Sequence, residues 1–362
     1  MIPEDFLTAA GAETPANPFP GLRPFEFGES HLYFGRDGQS DQLIRKLAAT
    51  RFVAVVGTSG SGKSSLVRAG LLPDLFSGYM PGAGSHWRVC LMRPSNDPLG
   101  NLARALNAPE VFGSDIEENA RIQTAITEAT LRRGSLGLVE AVRQNRMASR
   151  ENLLVVVDQF EELFRFARVS GSEQYRYEAA AFVKLLLDAA AQREQNIYVV
   201  LTMRSDFLGD CSMFWGLPEA INEGQYLIPR LTRDQRAEAV AGPVAVCGGE
   251  ITQRLVNRLL NDTGDNPDVL PILQHALMRT WEYWRADHRP GEAVDLRHYE
   301  AVGGMGEALS RHADEAFAEL PDERARGVAE KIFKGLTEKE DNREIRRPVT
   351  LQELCALAGA AR

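Results

Sequence analysis

Two stretches of this 362-residue chain carry side chains whose types and spacing could handle phosphate and metal. The first is Gly57-Thr58-Ser59-Gly60-Ser61-Gly62-Lys63-Ser64, followed by Ser65, which fits G-x-x-x-x-G-K-[ST], the Walker A pattern. Its glycines let backbone N–H groups close on phosphate oxygens with no Cβ in the way. A following helix adds unpaired donors and a partial positive charge. In that chemistry Lys63 reaches the β- and γ-phosphates and the Ser64 hydroxyl takes one position on Mg²⁺.

The second stretch is Leu153-Leu154-Val155-Val156-Val157-Asp158, an apolar run ending in an acid, the Walker B pattern. Asp158 would hold the metal directly or through water. Glu161 and Glu162 follow, and either could orient and deprotonate an attacking water. Surface acids after a core strand are the plainer alternative. Arg204 ends another apolar run and could pair with a γ-phosphate through its fork, or form an ion pair with Asp206 or Asp210.

These residues need a scaffold that brings them to one edge. Phe52–Val56 reads as a buried parallel strand, and so do 86–93, 151–158 and 197–204, with a short fifth at 225–229. Helices are expected over 37–49, from Pro98, through much of 108–150, and over 173–194. The fold class is therefore α/β, a P-loop NTPase parallel sheet with helices on both faces. The strand pattern stops after Arg230. Helices at 234–241, 252–261 and 271–284 imply a small helical domain, followed by a winged-helix-like domain with helices near 304–319 and 322–336. The expected divisions are a flexible leader at 1–20, a nucleotide-binding domain at 21–230, the helical domain at 231–295 and the winged-helix-like part at 296–362. The proline-rich segment 17–25 should run extended across the nucleotide domain.

Composition narrows the function. A net charge of −9 speaks against a broad nucleic-acid surface. The arginines at 343, 346 and 347 read as a solvated face, and Trp281, Tyr283 and Trp284 as core packing. The four cysteines are scattered without a C-x-x-C pair, which disfavours a zinc or disulfide framework and suits a reducing compartment. No apolar run reaches the roughly 18 residues of a membrane span. A cytoplasmic location is expected.

The chain resembles the STAND-class NTPases, the signal-transduction group of AAA-like P-loop proteins that includes NACHT and NB-ARC domains, and most of all the novel STAND type. The resemblance rests on the segments 17–25, 34–37, 57–65, 156–164, 202–207 and 270–277. The Asp-Gln-Phe-Glu-Glu-Leu-Phe and Leu-Pro-Ile-Leu-Gln-His-Ala-Leu runs are its most specific parts. It implies that Phe34, Gly35 and Arg36 pack against adenine, that Pro271 touches the base from the helical domain, that Arg204 is the first sensor, and that Glu161 and Glu162 are the paired acids after the magnesium aspartate. Gln159 stands where AAA ATPases carry an acid. His298 and His312 are candidates for the winged-helix histidine on the ADP β-phosphate, beside ordinary roles as surface or core histidines.

The resemblance further implies ATP or ADP with Mg²⁺, slow hydrolysis, nucleotide-driven opening, and homo-oligomerisation in signalling or defence. Protein partners would act through effector and sensor domains, and the chain reads as a fragment of such a protein. The alternative is a scaffold that retains ADP and barely hydrolyses. A GTPase is disfavoured because no Asn-Lys-x-Asp run is present, and an ABC transporter ATPase because Leu-Ser-Gly-Gly-Gln is absent.

Overall fold

In a computed structural model the chain is described over residues 17–113, 117–148, 150–264, 269–340, 343–346, 349 and 351–359. Five apolar runs form one sheet: β1 (Phe52–Gly57), β2 (Trp87–Met92), β3 (Asn152–Val157), β4 (Ile197–Arg204) and β5 (Gln225–Leu227). The order is β2-β3-β4-β1-β5 and every pairing is parallel. β1 and β3 are buried along their whole length, as strands covered on both faces must be.

Alternate residues of β1 feed two separate cores. Phe52, Ala54 and Val56 pack with the helices Pro98–Leu106, Glu173–Ala191 and Leu217–Gly224. Val53 and Val55 pack with the helix Gln39–Thr50 and with the helical run 63–76 that follows the glycine loop. Register then aligns the chemistry. Gly57 is level with Arg204 and Val157 with Leu201, so Asp158 stands beside Thr202 at the strands' C-terminal edge. That edge is where open α/β sheets bind ligands.

A third core joins the helices Arg233–Val246, Gln253–Thr263 and Leu270–Asp287. The first two open on the caps Thr232 and Thr252, whose hydroxyls accept the backbone N–H groups of Gln235 and Leu255. Beyond lie the helices Leu296–Ala301, Gly304–Ala318 and Glu323–Gly335, an antiparallel hairpin of Thr337–Glu340 with Arg343–Arg346, and the helix Leu351–Ala358. Trp281 is buried in the third core with Trp284 packed against it, while Tyr283 is exposed. Among the described residues no helix is long and apolar enough to cross a membrane.

The N-terminal expectations need two corrections. Residues 1–16 of the leader lie outside the described residues, as does Arg347 of the basic run. Residues 17–20, however, are packed. Asn17 Nδ2 donates to Met278 O at 3.0 Å and Phe19 is 3% exposed inside the third core. The segment also does not stay on the nucleotide domain. Phe25 buries with Leu32 and Ala69 beside the sheet, so 17–25 straps the two units together. The two aromatic residues lie six positions apart, on either side of a turn at Gly21-Leu22 that breaks the expected extended run, and each sinks into a different core.

Candidate functional site

The glycine loop folds as its glycines require. Gly60 and Gly62 hold φ of 68° and 89°, which side-chain-bearing residues rarely adopt. Arg36 braces the loop from outside, donating through Nη2 to Ser61 O at 2.8 Å and through Nη1 to Pro229 O at 2.7 Å. Lys63 Nζ donates to Gly57 O and Thr58 O, at 3.1 and 2.6 Å, within its own loop. Burial pushes the ammonium below its ordinary pKa and Arg204 adds to this, while Glu161 and Asp158 pull the other way. Its direct partners are carbonyls, which supply dipoles but no charge, so an incoming anion could still pair with the ammonium.

Ser64 opens the helical run and its Oγ donates to Asp158 Oδ1 at 2.7 Å. Thr202 Oγ1 donates to the same oxygen at 2.6 Å. Arg68 Nη2 lies 3.0 Å from Asp158 Oδ2, with Arg93 Nη2 at 3.8 Å. Burial would raise the Asp158 carboxyl, but the two hydroxyls and the arginines outweigh it and hold the pKa below its usual value. A hydroxyl and a carboxylate are hard oxygen donors, and two protein ligands suit a Mg²⁺ that keeps water and phosphate in its other positions. The donor set therefore fits that ion.

After Asp158 the chain turns through Gln159 at φ 56°, an unusual conformation for a non-glycine residue. Gln159 N donates to Thr202 Oγ1 at 3.0 Å, and its side-chain amide, oriented with its nitrogen towards Glu162 and its oxygen towards Arg93, bridges Glu162 Oε1 and Arg93 Nη2, both at 3.2 Å. This turn separates the two glutamates. Glu161 is 6% exposed, lines the cleft, and accepts from Arg204 N at 3.3 Å. Burial raises its pKa, against partial relief from backbone N–H groups and Lys63. Glu162 turns away and accepts from Ser95 N and Ser95 Oγ, at 3.2 and 2.9 Å.

A cleft of about 390 Å³ opens between the sheet edge and the third core. A model of the family described as Novel STAND NTPase 1 matches residues 18–362. The chain belongs to the novel STAND NTPase family. No curated protein sequence matches it. Among solved structures it is similar to the Aeropyrum pernix ORC2 protein at 12% identity and TM-score 0.52, covering 89% of this chain and 92% of that one. It is also similar to Cdc6p from Pyrobaculum aerophilum, at 15% identity, TM-score 0.43, and coverage of 90% and 93%. Domain III of Thermotoga maritima DnaA gives 13%, 0.41, and 75% and 92%. The ORC2 likeness concerns the fold alone. Membership of the novel STAND NTPases implies a nucleotide and usually Mg²⁺.

Of the residues singled out in the sequence, Phe34, Arg36, Ser59, Gly60, Gly62, Lys63, Ser64, Ser65, Glu161, Arg204 and Pro271 line this cleft of the STAND NTPase. Gly57, Thr58 and Ser61 line the adjoining hollow on the far side of the loop. Asp158 lies beneath Ser64. Phe34 and Gly35 are clamped to the helix Arg233–Val246. A Cβ on Gly242 would lie 2.5 Å from the Phe34 ring, and one on Gly35 would lie 2.3 Å from Gln235 O. Arg204 pairs with Asp206, the plainer alternative for that residue.

Neither histidine candidate lines the cleft. His298 is fully buried and its Nδ1 accepts Asp295 N at 2.9 Å as part of a helix cap. His312 Nδ1 meets His275 Nε2 at 2.9 Å. Sequence reasoning missed Thr202, Arg68, Arg93 and Arg236, all placed at or beside the site. Arg68 follows Ser64 by four positions on the same helical run, which was a readable signal. Thr202 and Arg93 depend on strand register, which was not.

Proposed function

We propose that this chain is the nucleotide-operated switch of a STAND protein, binding ATP or ADP with Mg²⁺ and hydrolysing ATP slowly. The observation that carries the proposal is the composition of the cleft's walls. Lys63, Ser64, Glu161 and Arg204 come from the sheet edge, and Pro271 from the third core. A ligand held by both walls binds differently when they part, and that difference in affinity couples nucleotide state to domain arrangement.

In this reading the glycine loop and Lys63 hold the phosphates, and Ser64 and Asp158 hold Mg²⁺, which supplies charge neutralisation on the phosphate oxygens. Glu161 is the base, because it faces the cleft and burial raises its proton affinity towards that of a working base. Arg204 senses the γ-phosphate by exchanging Asp206 for it. Phe34 and Pro271 flank the base. The Aeropyrum pernix ORC2 structure is of ADPNP and ADP complexes, and we carry that ligand class to this cleft. Residues 231–295 and 296–362 are the helical and winged-helix-like parts that close over it, and opening exposes surfaces for homo-oligomerisation.

The test is to denature purified protein and identify the released nucleotide chromatographically. Wild type should release ADP or ATP, and Lys63→Ala none. A wild type that holds no nucleotide even after incubation with Mg²⁺ and ATP would refute the reading.

A further inference from the structure

Asp158 is not waiting with open oxygens. Its Oδ1 accepts from two hydroxyls, and its Oδ2 faces the Arg68 guanidinium at 3.0 Å. Both side chains are sheltered, at 14% and 3% exposure, so this charge pair is weakly screened. Arg68 lies where the helical run widens to i→i+5 bonding over Leu66–Leu71. Such widened turns occur disproportionately at functional sites.

Arg68 has a second partner. Its Nη1 meets Glu26 Oε1 at 2.5 Å, and its Nε, although buried, has none. Glu26 directly follows the N-terminal strap 17–25 and caps the short helical turn Phe27–Leu32. The next residue back, Phe25, donates its N–H to Ser65 Oγ at 3.2 Å, and Phe19 is sunk in the third core. One guanidinium thus bridges the metal acid and the segment that joins the two halves of the molecule.

We propose that Arg68 is a positioning residue that competes with the metal for Asp158 and, when the metal binds, leaves its charge to Glu26, so that the strap registers occupation of the site. This rests on the nucleotide reading above. The physical reason is charge. A dication arriving at Asp158 meets a cation already on Oδ2, and the two repel in a desolvated setting. Glu26 eases the exchange because it retains Arg68 outside the metal's position. Removing Arg68 should therefore favour the metal, whereas removing Glu26 should drive Arg68 harder onto Asp158 and disfavour it.

The experiment is a titration of a fluorescent ADP analogue binding to the full chain at increasing Mg²⁺, reading the half-saturating Mg²⁺. Arg68→Met should lower that value about tenfold, the effect of a removed neighbouring charge. Glu26→Gln should raise it, by roughly threefold because Glu26 is half exposed. Arg68→Lys should stay near wild type. A merely structural role weakens both variants together. An unchanged midpoint in Arg68→Met, or two shifts in the same direction, would overturn the proposal. A wild type that binds no analogue at any Mg²⁺ would instead overturn the nucleotide reading and this proposal with it.

Discussion

Replacing Thr202 with valine keeps shape and removes one hydroxyl, which makes it the sharpest probe of the site. Thr202 is 1% exposed in β4, flanked by β1 and β3. Its Oγ1 donates to the Asp158 carboxylate at 2.6 Å and accepts Gln159 N at 3.0 Å. A hydrogen bond to a charged group contributes about 1.5–3 kcal/mol, and an orphaned buried N–H costs about 1–3 kcal/mol. With partial relaxation the loss should be about 3 kcal/mol, or roughly 6–12 °C in the melting of a domain this size. The sign with pH follows from Asp158, whose pKa is depressed from 3.8 by folding. A depressed carboxyl contributes stability above its unfolded value and loses it as pH falls through the folded one. Thr202→Val raises the folded value, so its deficit is constant above about pH 5 and narrows below 3.8. Urea unfolding at neutral and acid pH, with Thr202→Ser as the control that restores the hydroxyl, reads this directly. A valine variant within about 0.5 kcal/mol of wild type at neutral pH would refute the hydrogen-bond reasoning.

Other expectations follow from the same geometry. Glu161→Gln should bind ATP normally and hydrolyse it at least about 100-fold more slowly, the usual worth of a general base; Glu162→Gln should stay near wild type in a phosphate-release assay. If wild type turns over no faster than Glu161→Gln, the ADP-retaining scaffold is the better description. Phe19→Ala should cost about 3–5 kcal/mol, the range for emptying a buried aromatic site, and calorimetry should place that loss in the transition of the third core.

The sheet was legible because its strands are continuous apolar runs. Asn152–Val157 has no polar residue after its first, while its neighbours keep long apolar stretches interrupted only by Arg88 in β2 and by Thr202 and the terminal Arg204 in β4. The helix Pro98–Leu106 was legible for a different reason. Asp97 caps it by accepting Gly100 N, and Pro98 at its first position donates nothing. The helix Leu217–Gly224 escaped notice because it is short and begins after a glycine at φ 82°. The choice between Glu161 and Glu162 could not be read either. It hangs on the left-handed backbone of Gln159, held there by a hydroxyl 43 positions away, and no local periodicity reports such a turn. The destination of Phe19 is likewise a tertiary fact. An aromatic residue in a proline-rich run announces burial, not the partner that buries it.

The distribution of charge bears on why a cleft between two cores should respond to a nucleotide at all. The chain as a whole is acidic, at −9, yet Lys63, Arg93, Arg165, Arg204 and Arg236 all line the cleft, and among the described residues that line it the only carboxylate is Glu161. Arg236 belongs to the third core and its guanidinium rests on Thr263 Oγ1 and Gly264 O, neutral acceptors at 3.1 and 2.9 Å. Lys63, on the opposite wall, likewise rests on carbonyls. Positive charge on both walls of a partly desolvated gap pushes them apart, and low-dielectric walls strengthen the effect. On the proposed reading, phosphate oxygens between the walls replace that repulsion with attraction on each side. A triphosphate brings one more negative group than a diphosphate, and it brings it at Arg204, where the ion pair with Asp206 must be given up. On the proposed reading the two nucleotides therefore differ not merely in how tightly they hold the walls but in which wall-bound partner each displaces, and a difference of that kind would let hydrolysis change the arrangement of the cores.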